Sequence, residues 1–375
     1  LKNRINLLNL IFNGRLIHIP AAGVQPQSGR IGGNRILIML TSILNHYDSS
    51  WRGDITQGAS GWNNTTRFIE GAEGRGVLRI YETHRDIDKI RFEHAVLASL
   101  ARDKLDFRTP VPVPALTGDT IVQLDDGSGR YACLFNYIDG IRPESVGFRA
   151  GYSFGEAAGS LSVALSRLVV APSPAYRPYY ELSHSYPACS PESVGQFCSA
   201  VPEPFHGLEG PLRGIGEVYR EVIRELEGLE RLPQQLVHGD LNASNLLVDA
   251  GNPEGVTALL DFEFCTRDLR AMEPAVILPG LLVDDPDNGM EAAVQFCRGF
   301  SSRVRLTRDE IRAIPVLMKL RNVDVFLHFM TRYDEGTDGP EVLREQIPAI
   351  YAELARLERD RTAVEALLER YLCLV

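Results

Sequence analysis

The run His238-Gly239-Asp240-Leu241-Asn242-Ala243-Ser244-Asn245 follows the apolar pair Leu236-Val237, and Leu259-Leu260 leads into Asp261-Phe262-Glu263. The first run sets an aspartate in a loop with an asparagine five positions on; the second places another carboxylate at the end of an apolar, strand-like run. Phosphoryl transfer from a nucleotide requires three such groups. One carboxylate orients or deprotonates the attacking hydroxyl, while an amide oxygen and a second carboxylate hold Mg²⁺ on the phosphates. On that chemistry Asp240 is the candidate catalytic residue, and Asn245 and Asp261 are the candidate metal ligands. A loop aspartate is most often simply solvated, and a loop asparagine often caps its own turn. The joint spacing favours the chemical reading. Glu263, two residues beyond Asp261 on what reads as one strand end, is expected to face the same way.

These paired runs resemble the catalytic and metal-binding loops of the kinase-like phosphotransferases, which include aminoglycoside phosphotransferases, choline kinases, type II homoserine kinases and stress-response kinases. The resemblance is tight over 236–263 and loose over the rest of 42–375. It implies an α+β, protein-kinase-like fold of two lobes, a small antiparallel β-sheet lobe followed by a larger, mostly helical one. It also implies ATP or GTP as co-substrate with Mg²⁺, a strand cation steadied by a helix glutamate, a hinge contacting the nucleotide base, and a histidine bracing the catalytic loop. His238 takes that structural role. Glu263 stands where several relatives carry a second acid, reaching metal through water or touching substrate.

The elements that must position these groups can be read from the pattern. Residues 54–68 read as strand, turn, strand. The small residues Gly58, Ala59, Ser60 and Gly61 in the turn let backbone N–H groups approach phosphate oxygens, which makes it a candidate nucleotide lid. In the next strand, 76–81, Arg79 occupies the place of the family's lysine; a guanidinium keeps the charge but changes the reach. A helix over 86–102 brings Glu93 as its expected partner. Strands at 120–124 and 130–138 flank an Asp-Gly-Ser-Gly turn. The second ends at the hinge, where Asn136 and Ile138 are the candidate base contacts.

In the larger lobe, Ser153-Phe154-Gly155-Glu156 reads as a capping box opening a helix. Residues 171–212 hold eight prolines and read as an irregular excursion, either a surface loop or a wall of the acceptor pocket. A helix is expected over 217–230. Asp268 to Glu273 read as a helix-like segment facing the same mouth. Asp240, Glu263, Asp268 and Glu273 would then form an acidic pocket, with Glu263 and Asp268 as substrate-binding candidates. Such a pocket suits an amine-bearing alcohol such as homoserine, choline or an aminoglycoside, although acids also gather in a first helical turn for its dipole alone. Thr307 and Glu310 make a second capping box. The helix they open is expected to break at Pro315, and 340–358 and 362–372 read as two closing helices.

The 375-residue chain is long enough for two lobes. Its net charge of −10 argues against a nucleic-acid binder, and nothing approaches the roughly 20 apolar residues that span a bilayer. Six cysteines without a C-x-x-C pair read as reduced thiols, which makes the cytoplasm the default compartment. Residues 1–38 carry five basic side chains and no acid. They are expected to be a translated leader with little stable structure, the native start being Met39. A nucleotide-binding lobe over 39–138 and a catalytic and substrate lobe over 139–375 would follow. The expected partners are therefore a nucleotide and a small hydroxyl acceptor, with no nucleic acid and no membrane. Two alternatives compete. The missing Ala-Pro-Glu landmark after 263 favours a small acceptor, while the resemblance keeps a stress-response type of protein Ser/Thr kinase open, because that branch phosphorylates proteins. A silent nucleotide-binding scaffold has only Arg79 in its favour.

Overall fold

The computed structural model describes residues 11–12, 15–16, 30–58, 64–72, 74–82, 86–143, 148–284 and 288–373. Ala59, Ser60 and Gly61 of the expected lid lie outside the described residues. Helix α1 spans Arg30–Leu44, so regular structure starts upstream of Met39, and a two-residue ladder pairs Ile11–Phe12 with Arg15–Leu16.

Five strands form one antiparallel sheet: β1 Asp54–Gln57, β2 Asn64–Gly71, β3 Gly74–Tyr81, β4 Val122–Gln123 and β5 Tyr131–Asn136, in spatial order β1-β2-β3-β5-β4. Alternation divides its residues between two cores. Leu78, Ile80, Ala132 and Leu134 pack under Tyr47 and Trp51, while Tyr81, Cys133 and Phe135 face α2 (Ile87–Leu100) and join the core of the larger lobe. Arg79 shares that second face, which aims it into the gap between lobes.

The larger lobe comprises α3 Phe148–Arg167, the single turn α4 Leu182–Ser185, α5 Pro191–Ser199 and α6 Glu209–Glu225. Two short antiparallel ladders follow. β6 Gln234–Val237 pairs with β9 Thr266–Leu269, and β7 Leu246–Val248 pairs with β8 Val256–Leu259. The helices α7 Met272–Asp284, α8 Gly289–Ser301, α9 Arg308–Asp334 and α10 Pro340–Tyr371 complete it.

Several sequence expectations are corrected. Ser153 is no cap, since α3 begins five residues earlier and its hydroxyl accepts the Val256 N–H at 2.9 Å. The proline-rich excursion holds regular turns. Pro191 sits at the start of α5, where its missing N–H costs nothing, and Ser190 caps that helix. The helix expected over 217–230 lies at 209–225. Residues 268–273 begin as strand, not helix. Pro315 does not break α9, whose flanking Ile311, Ile314, Leu317 and Met318 are all buried and outweigh the lost bond. The expected pair of closing helices is a single one. Its polar stretch is carried by the i,i+4 pairs Arg356–Asp360 and Arg361–Glu365.

Candidate active site

Strand β6 delivers His238, Gly239 and Asp240. Gly239 turns the chain at φ +78°, a left-handed conformation suited to glycine. His238 is fully buried. Its backbone N–H donates to Glu273 at 2.7 Å and its Nε2 lies 2.9 Å from the Leu260 carbonyl, which can only accept. Nε2 therefore carries the proton and Nδ1 accepts the Asp240 N–H at 3.3 Å. Burial pushes the ring down to about 4, so it is a neutral brace between the two loops.

The Asp240 carboxylate is held at both oxygens. Arg321 Nη2 donates to Oδ1 at 2.9 Å, and Asn245 Nδ2 donates to Oδ2 at 3.2 Å and to the Asp240 carbonyl at 2.8 Å. Burial raises the acid's pKa, and Arg321 opposes that rise. Asn245 spends its amide hydrogens on Asp240, which leaves the carboxamide oxygen as its outward acceptor; a Ser244 hydroxyl approaches that oxygen only at 3.4 Å. The Asn245 carbonyl accepts the Leu260 N–H at 2.8 Å, locking the two loops across the base of the β7–β8 hairpin.

Asp261 departs from the strand-end geometry expected of it. β8 stops at Leu259, and Asp261 takes φ +66° before a single 3-10 turn, Phe262–Phe264. Its Oδ1 is buried with no hydrogen bond and lies 3.4 Å from Arg79 Nη1. Arg79 in turn pairs with Glu93 at 3.1 Å, and Glu93 also accepts the Tyr81 hydroxyl at 3.0 Å. The guanidinium thus links helix α2 of the small lobe to the Asp261 loop of the large one.

Glu263 lies in the 3-10 turn that follows Asp261, not on a strand. It is buried and accepts Asn64 Nδ2 at 2.9 Å across the lobes; burial pushes it up to about 8, with Asp261 adding to the rise and Arg79 opposing it. Asp268 and Glu273, expected at a pocket mouth, are turned inward. Asp268 has no exposed surface and accepts the backbone N–H groups of Tyr179 and Leu269, each at 2.6 Å. Burial raises both acids to about 7. Tyr179 then reaches over the loop and donates its hydroxyl to the Gly239 carbonyl at 2.9 Å. The proline-rich segment is therefore a wall of the site.

At the hinge the Asn136 N–H goes to the Val111 carbonyl and the Tyr137 N–H to that of Arg75, both at 3.0 Å. Asn136, Tyr137 and Ile138 border a cavity of about 280 Å³ with Leu105, Phe107 and Arg108, a space separate from Arg79, Asp240 and Asp261. Gly58 donates its N–H to the Thr66 carbonyl at 3.2 Å just past the end of β1.

The sequence reading missed Arg321, Asp324 and Tyr179. Arg321 and Asp324 sit in α9 among residues that are otherwise largely apolar and buried, and charges set in such a helix were the available signal.

Among the described residues no three of His, Cys, Asp and Glu gather into a metal cage. One carboxylate and one carboxamide oxygen, both hard donors, suit a cation that keeps waters and phosphate oxygens as its other ligands. The orphaned Asp261 Oδ1 fits that use.

A family model described as the phosphotransferase enzyme family matches residues 54–314. The homoserine kinase of Rhizobium meliloti (strain 1021) is 24% identical over 283 residues, which cover 72% of this chain and 76% of that protein. The solved microcompartment-associated aminopropanol kinase aligns with a TM-score of 0.65 at 22% identity, covering 88% of this chain and 99% of its own. The amicoumacin kinase hAmiN, solved in complex with AMP-PNP, Ca2+ and Ami, aligns with a TM-score of 0.60 at 16% identity, covering 88% and 93%. Both structures share the two-lobed fold.

Proposed function

The chain belongs to the phosphotransferase enzyme family, and from that premise we propose that it moves the γ-phosphate of ATP or GTP, with Mg²⁺, to a hydroxyl of a small amine-bearing molecule. One observation carries this reading. Asn245 is bonded both to Asp240 and to the Asp261 loop, so a candidate base and two candidate metal donors are tied together beside the Arg79 cation. Relatives named for homoserine and aminopropanol support an amine-bearing alcohol as the acceptor.

In this reading Asp240 orients the acceptor hydroxyl and takes its proton. Asn245 and Asp261 would hold Mg²⁺, which when bound neutralises charge on the β- and γ-phosphates. Arg79, steadied by Glu93, faces those phosphates. The chain segment that opens at Gly58 is the candidate cover for them, and Ile138, beside the cavity at the end of the small lobe, is the candidate base contact; the Asn136 N–H is already taken by Val111. Glu263 borders the acceptor side, and Asp268 serves it indirectly by fixing Tyr179.

An ADP-release screen with ATP and GTP tests the proposal over amino alcohols, hydroxylated amino acids, aminoglycosides and a generic protein acceptor, with Asp240→Asn as the blank. Release that depends on a small alcohol and vanishes in the variant is expected. Labelling of protein alone, or no acceptor-dependent release at all, would sink it.

A further inference from the structure

Arg321 and Asp324 project from α9 beside Asp240, three positions apart and so on one helix face. Arg321 Nη2 lies 2.9 Å from Asp240 Oδ1, and its Nη1 lies 3.5 Å from Asp324 Oδ2. Tyr179 stacks 5.6 Å from the guanidinium, and the Tyr186 hydroxyl donates to Asp324 Oδ1 at 2.8 Å. The side chains of Arg321, Asp240 and Asp324 keep 24, 21 and 17% exposure, so none of the three is sealed from solvent. The trio holds one positive charge between two negative ones.

We propose that Arg321 and Asp324 form a zwitterion-binding site that selects an acceptor carrying a carboxylate and an ammonium beside its hydroxyl, in chemical class a hydroxylated α-amino acid. The inference rests on the phosphotransfer reading of Asp240. Inserting such a solute exchanges ion pairs. The guanidinium donors pass to the incoming carboxylate, Asp324 takes the ammonium, and Asp240 Oδ1 is released to meet the hydroxyl. Arg321 and Asp324 each keep an ionic partner, and Asp240 trades its ion pair for the acceptor hydroxyl while retaining the Asn245 amide; a half-buried charge left with no partner at all would be costly. The two charges of an α-amino acid lie roughly 3 Å apart across one carbon, close to the spacing of the two protein groups. An amino alcohol lacking the carboxylate brings a second cation to the guanidinium. It also leaves Arg321 on Asp240, the group that must receive the hydroxyl. Arg321 and Asp324 are thus specificity-determining residues.

The test uses the full chain with ATP and Mg²⁺ and measures kcat/KM for L-homoserine, L-threonine and L-serine. Each is set against the amino alcohol made by removing its carboxylate. At least one amino acid should exceed its counterpart by about 10⁴-fold, the scale on which a site built to pair a substrate group rejects an analogue lacking it. Arg321→Met should erase most of that preference, and Arg321→Lys should restore part of it. An amino alcohol used as well as its paired amino acid overturns the inference while phosphotransfer stands. So does an Arg321→Met variant that slows both members of a pair equally, as a mere brace for Asp240 would. ADP release with an aminoglycoside but none of the pairs also overturns it, whereas silence with every acceptor refutes the phosphotransfer reading itself. If Arg321→Met does not fold, the wild-type comparison decides. Asp324→Asn then serves as the second variant, expected to raise KM for the amino acid and not for the nucleotide.

Discussion

Asp261 is the one non-glycine residue at positive φ among the described residues, and it carries a buried oxygen without a hydrogen bond. In the proposed reaction that oxygen is one of the two metal donors, and the backbone strain belongs to its placement. Asp261→Ala is therefore expected to remove Mg²⁺-dependent nucleotide binding, measurable by calorimetry with and without the ion. Asp240→Asn should instead leave nucleotide affinity within about threefold while lowering kcat by about 10²- to 10⁴-fold. Equal losses of both properties in the two variants would dissolve the division of labour. Asp268 offers a pH test of a different kind. Its folded-state pKa, raised from 3.8 to about 7 by burial, lies above the unfolded one. Its contribution to stability is thus fully present below about pH 4 and is lost as pH rises through about 7. Asp268→Asn, which stays neutral, should flatten the fall of Tm over that window; Glu273 shifts in the same direction and retains part of the slope. The residues at 240, 245 and 261 were legible as candidates because local spelling marks them, and those at 79 and 93 because the resemblance expects a strand cation and its helix partner there. Arg321 was not, since it meets Asp240 from 81 residues away.

At the scale of elements, the register of α9 sets Arg321 and Asp324 beside Asp240. Glu310, fully buried, closes the capping box with Thr307 and takes a two-pronged contact from Arg270, at 2.9 and 2.7 Å, just past β9. Removing it with Glu310→Ala strands the guanidinium and uncaps the helix, at an expected cost of about 3 kcal/mol read by chemical denaturation. Activity should fall further than stability alone explains, because Arg321 and Asp324 ride on the same helix. Helices α3 and α8 approach through glycines. A Cβ on Gly155 would land on the Phe296 carbonyl oxygen, and one on Gly299 on that of Tyr152. Gly155→Ala should cost about 1–3 kcal/mol with little direct effect on nucleotide binding. The capping box at Thr307 was legible because it is a local signature. The continuity of α9 and α10 was not, because burial around Pro315 and side-chain pairs around Asp360 decide it, and both need the assembled lobe.

Across the whole molecule, the two lobes are not independent. Ile90, Phe92, Val96, Leu97 and Leu100 of α2 belong to the same buried cluster as Phe154 of α3 and Phe262 of the Asp261 loop. Arg79 and the Asn64–Glu263 bond add polar ties across the gap. Far-ultraviolet circular dichroism and tryptophan fluorescence should consequently report one coincident unfolding transition. The fluorescence draws on Trp51, packed in the small lobe's core, and on the second tryptophan, Trp62. Two separated transitions would show that the shared core is weaker than its burial implies. Nucleotide with Mg²⁺ at about 100 times Kd should raise the midpoint, corresponding to about 2.7 kcal/mol. The two-lobed plan itself was legible from five strand-like runs gathered in the first third of the chain, ahead of the long helices; that the small lobe's helix would complete the large lobe's interior was not.

The β7–β8 hairpin is pinned at its base, where Asn245 and Leu260 exchange a backbone bond, while residues 249–254 at its tip lie exposed. Reach and anchorage are thereby separated along one short ribbon. A dye or an epitope grafted at Gly251 would ride outside the chemistry while staying mechanically coupled to the donors beneath it, a built-in place from which to listen to the site without touching it.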